Sequence, residues 1–171
     1  MGLQQKLKSM KDDRDAEEHI KHTYSAKEWR VKLWSIEERK ILDSIMQKLF
    51  DKDIIFSEEK QSEIELTINE LLINSISACK EKSDALIDLD VHYSNNGLLI
   101  HVRDNGPGFN HREMIRKRRE SSKYMGIKRF REIVITSDKY KGGTGLYCLI
   151  HYAGNFQFND RGNEVTARFE L

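Results

Sequence analysis

The chain has 171 residues, of which 38% are hydrophobic and 33% charged, with a formal net charge of +1. That length fits one domain burying roughly 70% of its unfolded surface, with no need for a metal or disulfide staple. The near-neutral balance supplies no global field for DNA or an anionic membrane, and no apolar run reaches the roughly 18 residues of a membrane span.

Residues 1–24 are dominated by charge, as in Lys11-Asp12-Asp13-Arg14-Asp15-Ala16-Glu17-Glu18. They read as a flexible or loosely helical extension. No basic-then-apolar leader opens the sequence. Lys6 stands where a myristoylation signal after Gly2 would place Ser or Thr. His19 and His22 form an HxxH pair with no carboxylate or cysteine cluster arranged to complete a zinc site, and read as solvated. Cys79 and Cys148 fall in helical patterns without a CxxC partner, so both read as reduced, buried thiols of a cytoplasmic protein.

A folded domain is expected over residues 25–171. Trp29, Val31 and Leu33 alternate with Arg30 and Lys32 as a half-buried strand. Ser35 and Glu38 have capping-box spacing ahead of a helix carrying Ile41, Leu42, Ile45, Met46 and Leu49. A longer helix is predicted from about Ser57 to Glu81. Ile87, Leu89, Val91 and Tyr93 then share one face of a strand, Asn96-Gly97 signals a tight hairpin, and a returning strand runs from Leu98 to Arg103.

That strand delivers Asp104 to the turn Asn105-Gly106-Pro107-Gly108-Phe109, which holds the only proline in the chain. Pro107 fixes its own φ, while Gly106 and Gly108 can take conformations closed to other residues. A second cluster, Lys141-Gly142-Gly143-Thr144-Gly145-Leu146, opens an apolar helix pattern through Leu149, Ile150 and Ala153. Five of the ten glycines lie in these two segments. Glycine concentrated in this way lets backbone approach a ligand, and a phosphate-bearing one is the first candidate. Between the clusters, residues 110–141 are polar and basic, with Arg116-Lys117-Arg118-Arg119 in a row. A long, weakly patterned segment inside a compact domain is more often functional than idle. Phe156 and Phe158, a turn over residues 160–163, and Val165, Ala167, Phe169 and Leu171 complete a last hairpin. Strands joined by hairpins, with helices between, imply an α+β two-layer sandwich whose mixed, mostly antiparallel sheet carries helices on one face.

The long helix bears a polar stripe, Glu63, Thr67, Glu70, Asn74, Ser77 and Glu81, at helical spacing. A solvent-facing stripe would look the same. Asn is, however, a poor helix-interior residue, and Asn74 follows Glu70 by one turn. An amide oxygen and a carboxylate then project together, which suits a divalent ion and an attacking hydroxyl. Spacing alone leaves both readings open.

Three segments together resemble the histidine-kinase-like ATPase (GHKL, or Bergerat-fold) superfamily. Glu70-Leu71-Leu72-Ile73-Asn74 resembles its N box, Asp104 to Phe109 its G1 box, and Gly142-Gly143-Thr144-Gly145-Leu146 its G2 box, in the family's order and over residues 25–171. Phe130, ahead of Thr136-Ser137-Asp138-Lys139-Tyr140, is similar to the F box of sensor kinases. The resemblance implies a Bergerat ATP-binding fold with ATP and Mg²⁺ as ligands and residues 110–141 as the ATP lid. Asp104 would accept a hydrogen bond from the adenine amine, and Gly106 and Gly108 would let backbone close under the base. Gly142, Gly143, Thr144, Gly145 and Leu146 would meet the phosphates at a helix N-terminus. Asn74 would hold Mg²⁺, Glu70 would act catalytically on the acceptor or water, and Thr166 best matches the family's closing-strand threonine. Two departures stand out. Ser77 and Ala78 replace the Lys or His that many members carry after the N-box Asn, and Glu164-Val165 precedes Thr166.

A chain of this size looks most like the stand-alone serine kinases of the anti-sigma-factor class. The resemblance then implies an ATP-dependent protein kinase in signal transduction, bound to a sigma factor or an antagonist phospho-acceptor, with room for a homodimer through the first strand and helix. The alternatives are the ATP-binding part of a split histidine kinase and a non-catalytic ATP sensor. The basic run at 116–119 suits a triphosphate or an acidic partner as well as a solvated face. Nucleic acid is disfavoured, since only Tyr124 and Phe130 interleave with the lid cations.

Overall fold

The structure is a computed structural model that describes residues 18–25, 47, 57–79, 85–94, 97–122 and 144–170. The strand expected at Trp29–Leu33, most of the helix expected over residues 35–49, Phe130, Gly142 and Gly143 lie outside them. Among the described residues, five strands form one sheet in the order β1-β2-β3-β5-β4. They are β1 (Glu18–Ser25), β2 (Leu86–Ser94), β3 (Gly97–Asp104), β4 (Asn155–Phe158) and β5 (Glu164–Phe169). All four pairings are antiparallel. The two-layer α+β sandwich is therefore as expected, with a purely antiparallel described sheet where a mixed one was allowed.

Helix α1 (Glu58–Ala78) is started by Ser57, whose hydroxyl accepts from the Lys60 amide at 3.2 Å, and Glu58 and Glu59 favour the positive end of the helix dipole. Ile64, Thr67, Ile68, Leu71, Leu72, Ser75 and Ile76 are buried at three- and four-residue spacing. This stripe packs on β2, β3 and helix α3 (Thr144–His151). The sheet answers with its own alternation: Ile87, Leu89 and Val91 of β2, Leu98, Ile100 and Val102 of β3, and Val165, Ala167 and Phe169 of β5 join the same core. Burying each such side chain contributes roughly 1.5–3 kcal/mol.

Three segments differ from the sequence expectation. Residues 18–24, expected in a charged extension, form β1 with Ser25, the outermost strand of the described sheet, in register with β2 from Glu18↔Tyr93 to Ser25↔Leu86. Gly97, expected in the hairpin turn, begins β3 opposite Ser94. The first part of the basic segment is helix α2 (His111–Ser122). Asn110 caps it by accepting from the Glu113 amide at 3.2 Å, and pairs at 2.6 Å for Glu113–Lys117 and 3.3 Å for Arg116–Glu120 support its exposed surface.

The other sheet face is polar and cross-linked. Arg103 and Thr23 both donate to Asp88, at 2.7 and 2.8 Å, and His101 Nε2 lies 2.9 Å from Glu164 Oε1. Burial pushes the Asp88 carboxyl up, but these hydrogen bonds and the Arg103 charge outweigh it and hold the group below its ordinary value. Leu99, on this same face, is fully buried.

Candidate functional site

β3 ends at Asp104, which is only 8% exposed. Its amide donates to the Asn163 carbonyl at 2.9 Å, and the Asn163 side-chain amide donates back to the Asp104 carbonyl. The carboxylate is fixed as well, because Oδ1 accepts from the Gly106 amide at 2.8 Å. Gly106 is required by space: a Cβ there would lie 2.7 Å from that oxygen. Gly108 is required by conformation, with φ at +77°, and a Cβ would run into the Arg161 carbonyl. Phe109 donates to the same carbonyl at 3.1 Å. The glycine turn therefore rests on the β4–β5 turn. Asn159 holds that second turn by accepting from the Gly162 and Asn163 amides at 2.7 and 3.2 Å.

Asn74 and Glu70 sit one turn apart on α1, facing the start of α3. A Cβ on Gly145 would strike the Asn74 side-chain amide and come 3.6 Å from the Glu70 Cβ. The N-box pair and the G2 glycine, about seventy residues apart in sequence, are thus in contact. Neither Glu70 nor Asn74 has a hydrogen-bond or ion-pair partner for its side chain among the described residues. Burial pushes the Glu70 carboxyl above its ordinary value. Burial, with the Glu70 charge adding to it, pushes the neighbouring Cys148 thiol up to about 12. Neither cysteine forms a disulfide.

Between these two groups lies a cleft of about 330 Å³. Leu71, Val102, Leu146, Leu149, Phe158 and Val165 give it apolar walls, while Asn74, Asp104 and Asn163 supply polar groups. An apolar slot with a few convergent polar atoms is the usual form of a small-molecule site. At its rim Phe109 and Met114 are 41% and 37% exposed.

The structure gathers most of the expected site and sets two members apart. Asn74, Asp104, Gly108 and Leu146 line the cleft. Gly106 braces Asp104 from behind, and Gly145 and Thr144 open α3. Glu70 stands beside Gly145, outside the cleft wall. Thr166 pairs with His101 and Gln157, while its neighbour Val165 is the residue in the wall. Strand alternation turns Thr166 to the opposite face. Ala78 lines the cleft and Ser77 is exposed, so α1 brings no cation to this rim. Asn159, Asn163, Phe158 and Met114 were not singled out from sequence as site residues. Asn163 had only its place in a turn to mark it.

The arrangement suits a planar base bearing a hydrogen-bond donor at one end and an anion near a helix N-terminus at the other. A comparison with protein families agrees, since the model of the histidine kinase-like ATPase domain matches residues 39–169. The chain belongs to that family. Membership implies ATP binding, usually with Mg²⁺. No curated protein matches the chain. Among the described residues no group of three or more His, Cys, Asp or Glu side chains could hold a metal. Among the polar side chains that line the cleft, Asn74 carries an amide oxygen, a donor type that suits a hard cation which keeps several waters. No helix among the described residues is long and apolar enough to cross a membrane.

Proposed function

We propose that the chain is an ATP-dependent serine/threonine protein kinase of the anti-sigma-factor type, acting on a protein partner in the cytoplasm. The observation that carries the reading is that Glu70 and Asn74 meet Gly145 beside a cleft whose lining holds both Asn74 and Asp104. Adenine would lie against Leu71, Val102, Leu146 and Val165, with its exocyclic amine donating to Asp104. A keto base would leave that carboxylate facing an acceptor, a penalty that selects against it. The α3 N-terminus and the Gly145 amide would face the phosphates.

Bound Mg²⁺, held by Asn74, would supply charge neutralisation on the phosphate oxygens. Glu70 would orient the acceptor hydroxyl and take its proton as the oxygen bonds to the γ-phosphorus and the β–γ bridge breaks, releasing ADP. The raised affinity of Glu70 for a proton fits a base held away from water. A sigma factor or its antagonist is the proposed partner class, and a homodimer through the strand expected at Trp29–Leu33 and the helix expected over residues 35–49 is compatible with it.

A second reading, a nucleotide sensor without transfer, is favoured by Ser77 and Ala78, which leave α1 without a phosphate-binding cation. Incubation with γ-labelled ATP and a cell extract separates these readings. Acid-stable phosphoserine or phosphothreonine that disappears with Glu70→Ala is the expected result. Acid-labile phosphohistidine would instead indicate part of a split histidine kinase, and no labelled product would indicate the sensor.

A further inference from the structure

Cys79 caps the C-terminus of α1, its amide donating to the Ser75 carbonyl at 3.1 Å. Its side chain is fully buried, outside the cleft wall, with Sγ 3.7 Å from Asp104 Oδ1 and 3.9 Å from Asn105 Oδ1. The Gly106 amide meets the same Asp104 oxygen from another side at 2.8 Å. A Cβ on Gly106 would come 3.3 Å from the sulfur and 3.4 Å from the Ala78 Cβ. The helix end, the thiol, the glycine and the carboxylate therefore form one packed contact.

A carboxylate in a rigid pocket can still turn about its terminal torsion, which is broad and two-fold. Here Oδ1 takes both donors, the amide and the thiol. Oδ2 keeps no partner among the described residues. We propose that Cys79 is a positioning residue for base recognition: its S–H holds Oδ1 so that Oδ2 is the oxygen presented to the amine of the purine. This inference rests on the reading of Asp104 as the group that recognises the base. A thiol suits the task, being a weak donor with a large, polarisable sulfur that fills the space behind the carboxylate without competing for it.

The test compares ATP with purine riboside triphosphate, which lacks only the exocyclic amine, by calorimetric titration of the full chain. Wild type prefers ATP. Cys79→Ala reduces that preference about three- to tenfold, while the affinity for the amine-free analogue stays within about twofold. Cys79→Ser, which restores a donor, recovers most of the preference. Equal weakening of both ligands in Cys79→Ala would mean that the sulfur only packs, and an unchanged preference would mean that it does not act on Asp104; either overturns the proposal. If wild type and Asp104→Asn bind the two ligands alike, the reading of Asp104 itself fails, and the role of Cys79 with it.

Discussion

The two ends of the cleft are built on opposite principles. Around Asp104 nearly every polar group is committed. Its amide, its carbonyl and one carboxylate oxygen are all hydrogen-bonded, and the glycine turn is tied to a second turn that Asn159 braces in its own right. Around Asn74 the side chains have no such partners among the described residues, and Glu70 is held there against the cost of burial. One end is pre-organised before any ligand arrives, which reduces the ordering cost of binding. On the proposed reading, the other leaves its side-chain acceptors open for a cation that enters with the nucleotide phosphates. On that reading, selectivity for the base belongs to the first end and turnover to the second.

This contrast can be broken from either side, and the largest effect is expected at the open end. Glu70→Ala should lower phosphoryl transfer by about 10²- to 10⁴-fold while the nucleotide Kd moves by no more than about threefold, read by single-turnover assay and titration on one preparation. A parallel loss of binding would erase the division of labour. At the committed end, Gly108→Ala forces a side chain into left-handed backbone and against the Arg161 carbonyl. It should cost about 1–3 kcal/mol of stability in denaturant unfolding and weaken nucleotide binding too. Asn163→Ala removes the brace on the Asp104 carbonyl and should cost about 1–2 kcal/mol, with little effect on transfer at saturating nucleotide.

The smallest effect is a pH dependence. Glu70 binds a proton more tightly in the folded chain than in the unfolded one. Its contribution to stability is therefore fully present below the ordinary carboxylate value of 4.5, and is lost as pH rises through the raised folded value. Glu70→Gln should then match wild type in thermal unfolding at pH 4 and exceed it at pH 8. A variant less stable than wild type at pH 8 would show that Glu70 is paired and not merely buried.

The legible part of the site was the part whose backbone geometry restricts residue choice. Gly106, Gly108 and Gly145 stand where space or a positive φ admits few other residues, and the three short segments holding them, Asp104 and Asn74 kept their order. The braces were not legible, because they act across long sequence separations and use ordinary turn residues. Asn163 lies 59 positions from Asp104, and Cys79 lies 25 away. Helix α2 is hard to read from sequence for a different reason: it buries no apolar stripe, and its Asn110–Glu113 cap opens a run of charged residues. β1 was hidden by charge. Its residues are mostly polar or charged, with Ile20 and Tyr24 the only large hydrophobic side chains, so its hydrophobic signal is thin. Thr166 was chosen by analogy, and strand alternation gave the wall position to Val165.

The most direct test of the site is calorimetric titration of ATP and GTP, each with Mg²⁺, on wild type and Asp104→Asn. Because the Gly106 amide requires an acceptor at the Oδ1 position, an asparagine would turn its own amide nitrogen toward the base. ATP affinity should fall about ten- to a hundredfold, and the preference for ATP over GTP should vanish. Undiminished, ATP-selective binding by Asp104→Asn would contradict the placement of the base at this end of the cleft.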